Sequence, residues 1–173
     1  MKQNKAYKFR IYPNEEQKII FAKTFGCTRF IYNKMLSDKI DYYKQTKQKL
    51  NNTPAQYKIE FEWLKEVDSL ALANAQMNLQ KAFTNFFINT KSGFPKFKCK
   101  HKNKKSYTTN NQRNTITLEN GFLKLPKLVD LVKVKQHRQI PKDYKIKSVT
   151  ISQTPSEKYY ASILCEYDNQ IQT

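Results

Sequence analysis

The chain has 173 residues, 39% hydrophobic and 13% aromatic, with three glycines and six prolines. That is enough apolar material for one large domain or two small ones, and it excludes a disordered or low-complexity protein. The formal net charge is +18, and divided at residues 68 and 118 the three parts carry +6, +9 and +3. A folded chain this basic most often meets nucleic acid, with an anionic membrane surface next. The membrane is set aside. No apolar run approaches the roughly 18 residues of a span, no lipidation motif is present, and MKQNKAYKFRIYP has no signal-peptide core. The expected location is the cytoplasm. Cys27, Cys99 and Cys165 are odd in number and far apart, which suits a reducing compartment and no disulfide framework.

Lys5 to Tyr12 alternates, with Tyr7, Phe9 and Ile11 on one side and Lys8 and Arg10 on the other. This predicts a strand with one buried face. Pro13 ends it, and Asn14 with Gln17 forms a capping box that starts a helix. Ile20, Phe21, Ala22 and Phe25 give that helix an apolar stripe, and Gly26 is expected to interrupt it. A second helix is predicted from about Thr28 to Thr46, with Phe30, Ile31, Leu36, Ile40 and Tyr43 at helical spacing. Its other face carries Arg29, Asn33, Lys34, Lys39 and Lys44, as a solvated surface or as a nucleic-acid contact.

Residues 47 to 53 read as a loop, and Pro54 opens a short helix reaching Trp63 or Leu64. Asp68 is a good N-cap for the longest helix, Ser69 to about Asn89, whose apolar positions include Leu70, Ala73, Met77, Phe83, Phe86 and Phe87. The opposite face holds Asn74, Gln76, Asn78, Gln80 and Asn85. Amides are the groups that read base edges, and they also make a neutral surface; both accounts stand.

Between Ser69 and Leu118 there are nine Lys or Arg and no acid. The run peaks in KSGFPKFKCKHKNKKSYTTNNQRN, from Lys91 to Asn114. Its lysines, Lys96, Lys98, Lys100, Lys102, Lys104 and Lys105, suit phosphates. With Arg29 and Lys34 they are the candidate backbone contacts. Tyr107, Thr108, Asn110, Asn111, Gln112 and Arg113 end the stretch in hydroxyls and amides that can bond base edges. A solvated basic loop with no partner is the plainer account.

After this stretch the period becomes two. Thr115 to Leu118, Asn120-Gly121 and Phe122 to Leu125 form a hairpin signal. Val132 to Lys135, Lys145 to Ser152 and Lys158 to Tyr167 follow as strands. The fold class expected is α+β: a small antiparallel β-barrel that the first strand joins, with a helical bundle inserted.

No catalytic constellation is evident. His101 and His137 lack a carboxylate partner, three separated glycines make no phosphate loop, and the acids are scattered. Cys99 and His101 lack a second ligand pair, so no metal and no cofactor is expected. Cys27 and Cys165 sit among apolar residues and read as core.

The segments in order resemble the N-terminal half of TnpB, also called OrfB, a protein of insertion-sequence transposons. The resemblance rests on AYKFRIYPNEEQ at 6–17, FGCTRFIYNKML at 25–36, WLKEVDSLALANAQMNLQKAFTNFF at 63–87 and GFPKFKCKHKNKKSYTTNN at 93–111. It continues through LKLPKL at 123–128, VKVKQHRQIP at 132–141 and YYASILCEYD at 159–168. Any one of these is modest; seven in order are specific.

The resemblance implies an RNA-guided DNA nuclease related to the type V CRISPR effectors, in a bacterial or archaeal cytoplasm at the nucleoid. Its N-terminal half would be a wedge domain, an OB-like barrel, interrupted by a helical recognition domain. On this chain the first barrel strand is 1–13, the insertion 14–92 and the rest of the barrel 93–173. Guide RNA and double-stranded DNA are the implied partners. Positions Ser69, Ala73 and Asn74 of the helix, and Gln112 and Arg113 of the loop from Tyr107 to Asn114, fall where the family reads a short DNA motif. Ala73 lacks a donor, so the motif preferred here does not transfer from a relative. The family's RuvC-like nuclease domain would follow Thr173, and Asp168 lacks the pattern of its catalytic Asp. The expectation is therefore a binder rather than an enzyme. The alternatives are a fragment completed by a separate nuclease-bearing chain, and a stand-alone basic RNA-binding protein.

Overall fold

Strand β1 (Lys2–Tyr12) has a neighbour on each side in an antiparallel sheet. It pairs with β7 (Tyr159–Asp168) from Lys2 to Ile11 and with β5 (Val132–Lys135) from Arg10 to Tyr12. The remaining strands are β2 (Lys105–Asn110), β3 (Thr117–Glu119), β4 (Phe122–Lys124) and β6 (Lys145–Gln153). Three helices lie between β1 and β2: α1 (Glu15–Thr46), α2 (Pro54–Tyr57) and α3 (Ser69–Ile88). The computed structural model describes residues 1–170. It divides into two compact units, Met1–Ala22 with Lys104–Thr173, and Lys23–Asn103.

In the sheet unit the order is β2-β6-β7-β1-β5-β4-β3, every neighbouring pair antiparallel. Among the described residues the end strands β2 and β3 do not pair with each other, so the antiparallel barrel expected is an open one, a curled half-barrel. β3 and β4 contribute only three residues each, too short a rim to close one. The predicted alternation holds along β1, where Tyr7, Phe9 and Ile11 are buried. Val149, Ile151, Ala161, Ile163 and Cys165 are buried with them in this unit. The first turns of α1 pack on that face. Phe21 sets its ring 6.2 Å from Tyr107 and 5.9 Å from Tyr159, and Gln17 Nε2 donates to the carbonyls of Asp130 and Leu131 at 3.2 Å. Asn120 and Gly121 turn the β3–β4 hairpin with φ of 52° and 77°, the paired left-handed conformation that Asn-Gly tolerates.

Two expectations change. Residues 107–110, part of the loop from Tyr107 to Asn114 that the resemblance implies, belong to β2 in register with β6. Tyr107 and Thr109 point to the core and Ser106, Thr108 and Asn110 to the other face, so a period of two was present under the polar composition. Gly26 does not end the helix either, since α1 continues through it to Thr46. An interior glycine costs about 1 kcal/mol relative to alanine. Burial of Phe25, Cys27, Ile31, Tyr32, Met35 and Leu36 on the same helix outweighs that. The capping box forms as read: the Gln17 N–H donates to Asn14 Oδ1 at 2.8 Å, and the Asn14 N–H to Gln17 Oε1 at 2.9 Å.

In the helical unit one core joins Ile31, Met35 and Leu36 of α1 to Tyr57, Leu64, Val67, Leu72 and Leu79. The helix opened by Pro54 stops at Tyr57, short of Trp63, and a 3₁₀ turn spans Glu62–Glu66. The break lets Phe61 and Trp63 each place a ring 4.8 Å from Phe30, while Leu64 is buried. Asp68 caps α3 as predicted, its carboxylate accepting from the Leu70 N–H at 3.0 Å. Among the described residues no helix is long and apolar enough to cross a membrane.

Candidate nucleic-acid interface

The basic stretch leaves α3 through a 3₁₀ turn at Thr90–Ser92 and a buried Pro95. It then runs without regular structure until β2. Asn33 of α1 holds it. Its Oδ1 accepts from the Lys98 N–H at 2.7 Å and its Nδ2 donates to the Lys98 carbonyl at 2.9 Å. One side-chain amide thus pairs with one residue of backbone as a neighbouring strand would. Asn103 closes the next turn, accepting from the Cys99 N–H at 2.6 Å and donating its own N–H to the Cys99 carbonyl at 3.0 Å. Lys96, Lys100, Lys102 and Lys104 are exposed, Lys100 and Lys102 within the turn that Asn103 closes.

Lys98 differs from them. Its Nζ sits 4.5 Å from the centre of the Tyr32 ring, and burial pushes its pKa down. It is half-buried over that ring, and its backbone is the one Asn33 holds, so it is the anchor of the strap. Lys34 is also engaged, in an ion pair with Asp38 at 3.2 Å. Asp38 in turn accepts from the Tyr57 hydroxyl at 2.7 Å, and burial followed by that bond raises the hydroxyl to about 12. Arg29 is half-buried. Sequence reasoning grouped Asn33 with the cations of its helix face and missed its role as a clamp. Nothing local in the sequence distinguishes it, because its partner lies 65 positions away.

On α3 the amides divide. Gln76 donates to the Asn52 carbonyl at 3.3 Å, and Asn74 donates to the Leu70 carbonyl one turn back at 2.9 Å. Asn78, Gln80 and Asn85 are exposed, as is Ser69 at the first helical position. Ser69 and Asn74 stand five residues apart and so do not share a helix face.

The segment from Tyr107 to Arg113 divides as well. Tyr107 is buried against Phe21. The Thr108 hydroxyl shares a 2.7 Å hydrogen bond with the Thr150 hydroxyl. Asn111 latches the turn after β2. Its N–H and Nδ2 donate to the carbonyls of Lys147 and Ile146 at 2.8 and 2.9 Å, and its Oδ1 accepts from the Ile116 N–H at 3.1 Å. Gln112 and Arg113 cap the latched turn and are exposed, Arg113 at φ 53°. Asn110 is exposed at the end of β2.

Cys99 is exposed while Cys27 and Cys165 are buried core residues, as read from their neighbours. Burial pushes both core thiols up, Cys27 to about 11 with Glu66 adding to it. Among the described residues no three His, Cys, Asp or Glu converge as a metal site would require.

Comparison with known proteins agrees with the segment order. A family model of the OrfB IS605 type, described as a helix-turn-helix domain, matches residues 1–48. In this structure those residues form β1 and the whole of α1, which runs unbroken through Gly26. The chain is 31% identical over 171 residues to a "Putative RNA-guided DNA endonuclease" of Streptomyces pristinaespiralis, covering 94% of this chain and 41% of that protein. It is 28% identical over 173 residues to "Putative RNA-guided DNA endonuclease InsQ" of Escherichia coli K12, again covering 41% of the relative. It is 38% identical over 114 residues to "Virulence protein VsdF" of Salmonella dublin, covering 56% of this chain and 94% of that one. The chain belongs to the TnpB/OrfB family. It spans about 41% of the length of the two endonuclease relatives, and the matched part is the strand, helices and sheet described above.

Proposed function

We propose that these residues form the nucleic-acid-holding part of a TnpB-like protein, with guide RNA and double-stranded DNA as partners. In this reading the sheet unit is the wedge and the helical unit the recognition domain. The strap from Lys96 to Lys104 holds phosphates, and Gln112 and Arg113 read a short DNA motif, with Asn110 as a further donor. The observation that carries it is the Asn33 clamp. It fixes the backbone of a lysine run that has no acid within it and leaves four of its lysines exposed. The anchoring stabilises the fold in its own right, and it also holds the lysines in a set order for phosphates. Arg113 and Gln112 have the donors to pair bidentately with guanine and adenine, on a turn already held by Asn111.

The test separates holding from reading. Binding of the chain to a panel of duplexes differing at single positions is measured for wild type and for Gln112→Ala with Arg113→Ala. The double variant is expected to lose discrimination, about 1–3 kcal/mol at the positions read, while affinity for the weakest duplex stays. Uniform discrimination by both proteins would contradict the reading.

A second reading starts from the name that two relatives carry, RNA-guided DNA endonuclease, and from the RuvC-like domain that the resemblance implies. The chain would then act in cleavage when joined by a separate RuvC-like nuclease chain. We assign binding alone to the chain by itself. Incubation with divalent metal, guide RNA and target DNA tests this. Cutting by this chain alone overturns the assignment, and cutting only after the second chain is added supports the second reading.

A further inference from the structure

The last turns of α3 read KAFTNFFIN, with Phe83 and Phe87 one turn apart and Phe86 and Ile88 beside them. Gly93, at φ 81°, turns the chain after the helix and brings Phe94 back against it. The Phe94 ring lies 5.5 Å from that of Phe83 and 5.4 Å from that of Phe86, edge to face in both. Phe83 also packs on the core beneath, whereas Phe87 is 74% exposed and Ile88 80%. The rings therefore form a shelf that the core does not cover.

Ile40 and Tyr43 of α1, with Leu50 of the loop that follows, make the facing wall, and the space between is about 700 Å³. Sites for one small organic molecule usually run from about 300 to 1,000 Å³ and are mostly apolar. The whole pocket lies within the helical unit. Its charged groups have one sign. Lys39, Lys44 and Lys49 line it, no acid does, and none of the three makes an ion pair among the described residues. Lys39 Nζ donates to the Leu50 carbonyl at 2.9 Å and ties the loop to the helix. Burial, then the charge of Lys49, pushes the Lys39 pKa down, the result of cations sharing a wall without an anion. Besides the Tyr43 hydroxyl, Gln80 and Thr84 are the uncharged polar side chains of the lining.

We propose that this pocket binds a small amphiphile with an alkyl body and a carboxylate head, such as a medium-chain fatty acid. The tail lies among the phenylalanines and the head meets Lys44 and Lys49. Such a molecule matches both features of the site, carbon for the rings and one negative charge for the cations. A nucleobase does not, because its edge carries donors and acceptors that a wall of carbon leaves unpaired. A second copy would bring one lysine rim against another on a chain of net charge +18. None of the residues assigned to phosphate holding or motif reading lines the pocket, so the proposal does not depend on the function proposed above.

The full chain is titrated by calorimetry with octanoate, decanoate and dodecanoate, each below its micellar concentration. One molecule is expected per chain, with affinity rising about fourfold for each methylene buried. Dodecyltrimethylammonium, with the same tail and the opposite charge, is expected to bind about tenfold more weakly than dodecanoate or not at all. Lys44→Gln with Lys49→Gln is expected to weaken dodecanoate about tenfold, while Lys102→Gln with Lys104→Gln removes the same charge from the strap and leaves it unchanged. Thr84→Trp fills the pocket and is expected to abolish binding, with thermal melting confirming the fold. If that variant does not fold, Phe87→Ala at the exposed edge of the shelf takes its place and is expected to weaken binding. The proposal is overturned by no binding, by many molecules per chain, or by equal losses from the two lysine pairs. Competition by thymidine monophosphate would give the pocket to a nucleotide, and a dimer in sedimentation that dodecanoate dissociates would give it to a second copy; either result overturns the proposal. Loss of the strap's function leaves dodecanoate binding intact, so the failure of one reading is distinguishable from the failure of the other.

Discussion

The lysine strap and the outer face of the sheet are both basic, yet they are built in opposite ways. The strap is contiguous in sequence. Lys96, Lys100, Lys102 and Lys104 follow one another along an irregular backbone, and a single amide from α1 keeps that backbone in place. The sheet face shows in the sequence only as the Lys8–Arg10 side of one alternating strand. Lys8, Arg10, Lys133 and Tyr160 meet only because β1 pairs with β5 on one side and β7 on the other. The difference teaches where each surface is vulnerable. A charge run survives most changes in the core but depends on its anchor, whereas a register-built surface depends on the core residues that fix the register.

The largest effect should come from that core. Phe9 is fully buried on the side of β1 opposite Lys8 and Arg10. Phe9→Ala is expected to cost about 3–5 kcal/mol of unfolding free energy by denaturant titration. A loss below about 1 kcal/mol would mean that the register is held elsewhere. Next comes the anchor. Asn33→Ala removes both bonds to Lys98 and should cost about 1–3 kcal/mol, with faster proteolysis between Lys96 and Lys104. If the strap stayed as protected as in wild type, Asn33 would not be what fixes it.

A smaller effect appears at alkaline pH. Burial, then Glu66, raises the Cys27 thiol from 9.0 to about 11, and burial, then the bond to Asp38, raises the Tyr57 hydroxyl from 10.0 to about 12. Both groups hold their protons more tightly when folded. Their contribution is therefore complete below pH 9 and is lost as pH rises toward 11 for Cys27 and toward 12 for Tyr57. Melting temperature should fall across that window, and Cys27→Ala should flatten its lower part. A profile unchanged by the substitution would sink the assignment. The smallest effect is a gain. A Cβ at Gly26 would meet nothing within 4 Å, so Gly26→Ala should stabilise the chain by about 0.5–1 kcal/mol. Destabilisation would show that the glycine serves a packing contact after all.

Features closed within a few residues were legible in advance. The Asn14–Gln17 box, the Asp68 cap and the Asn120-Gly121 turn each satisfy local backbone groups with local side chains. Gly26 misled because helix propensity is a weak term beside the apolar residues on either side of it. Tyr107 misled because the resemblance puts it in a loop, while its alternation with Thr109 is the signal of a strand. Of the candidate site, the exposed lysines and the Gln112–Arg113 pair were visible in the sequence as charge and donor runs. That Lys98 lies half-buried over Tyr32, and that Asn111 spends its amide on the backbone of β6, were not, because both depend on long-range partners. Beyond Lys8 and Arg10 the sheet face depends on register, and no run of adjacent residues records it.

The central claim is that the strap holds phosphates. Lys96, Lys100, Lys102 and Lys104 are changed together to Ala, leaving the anchor Lys98 in place, and affinity for a structured RNA is measured across a salt series. The variant is expected to bind on the order of a hundredfold more weakly near physiological salt, with the slope of log K against log salt reduced by about 3. An affinity and a slope equal to those of wild type would contradict the claim.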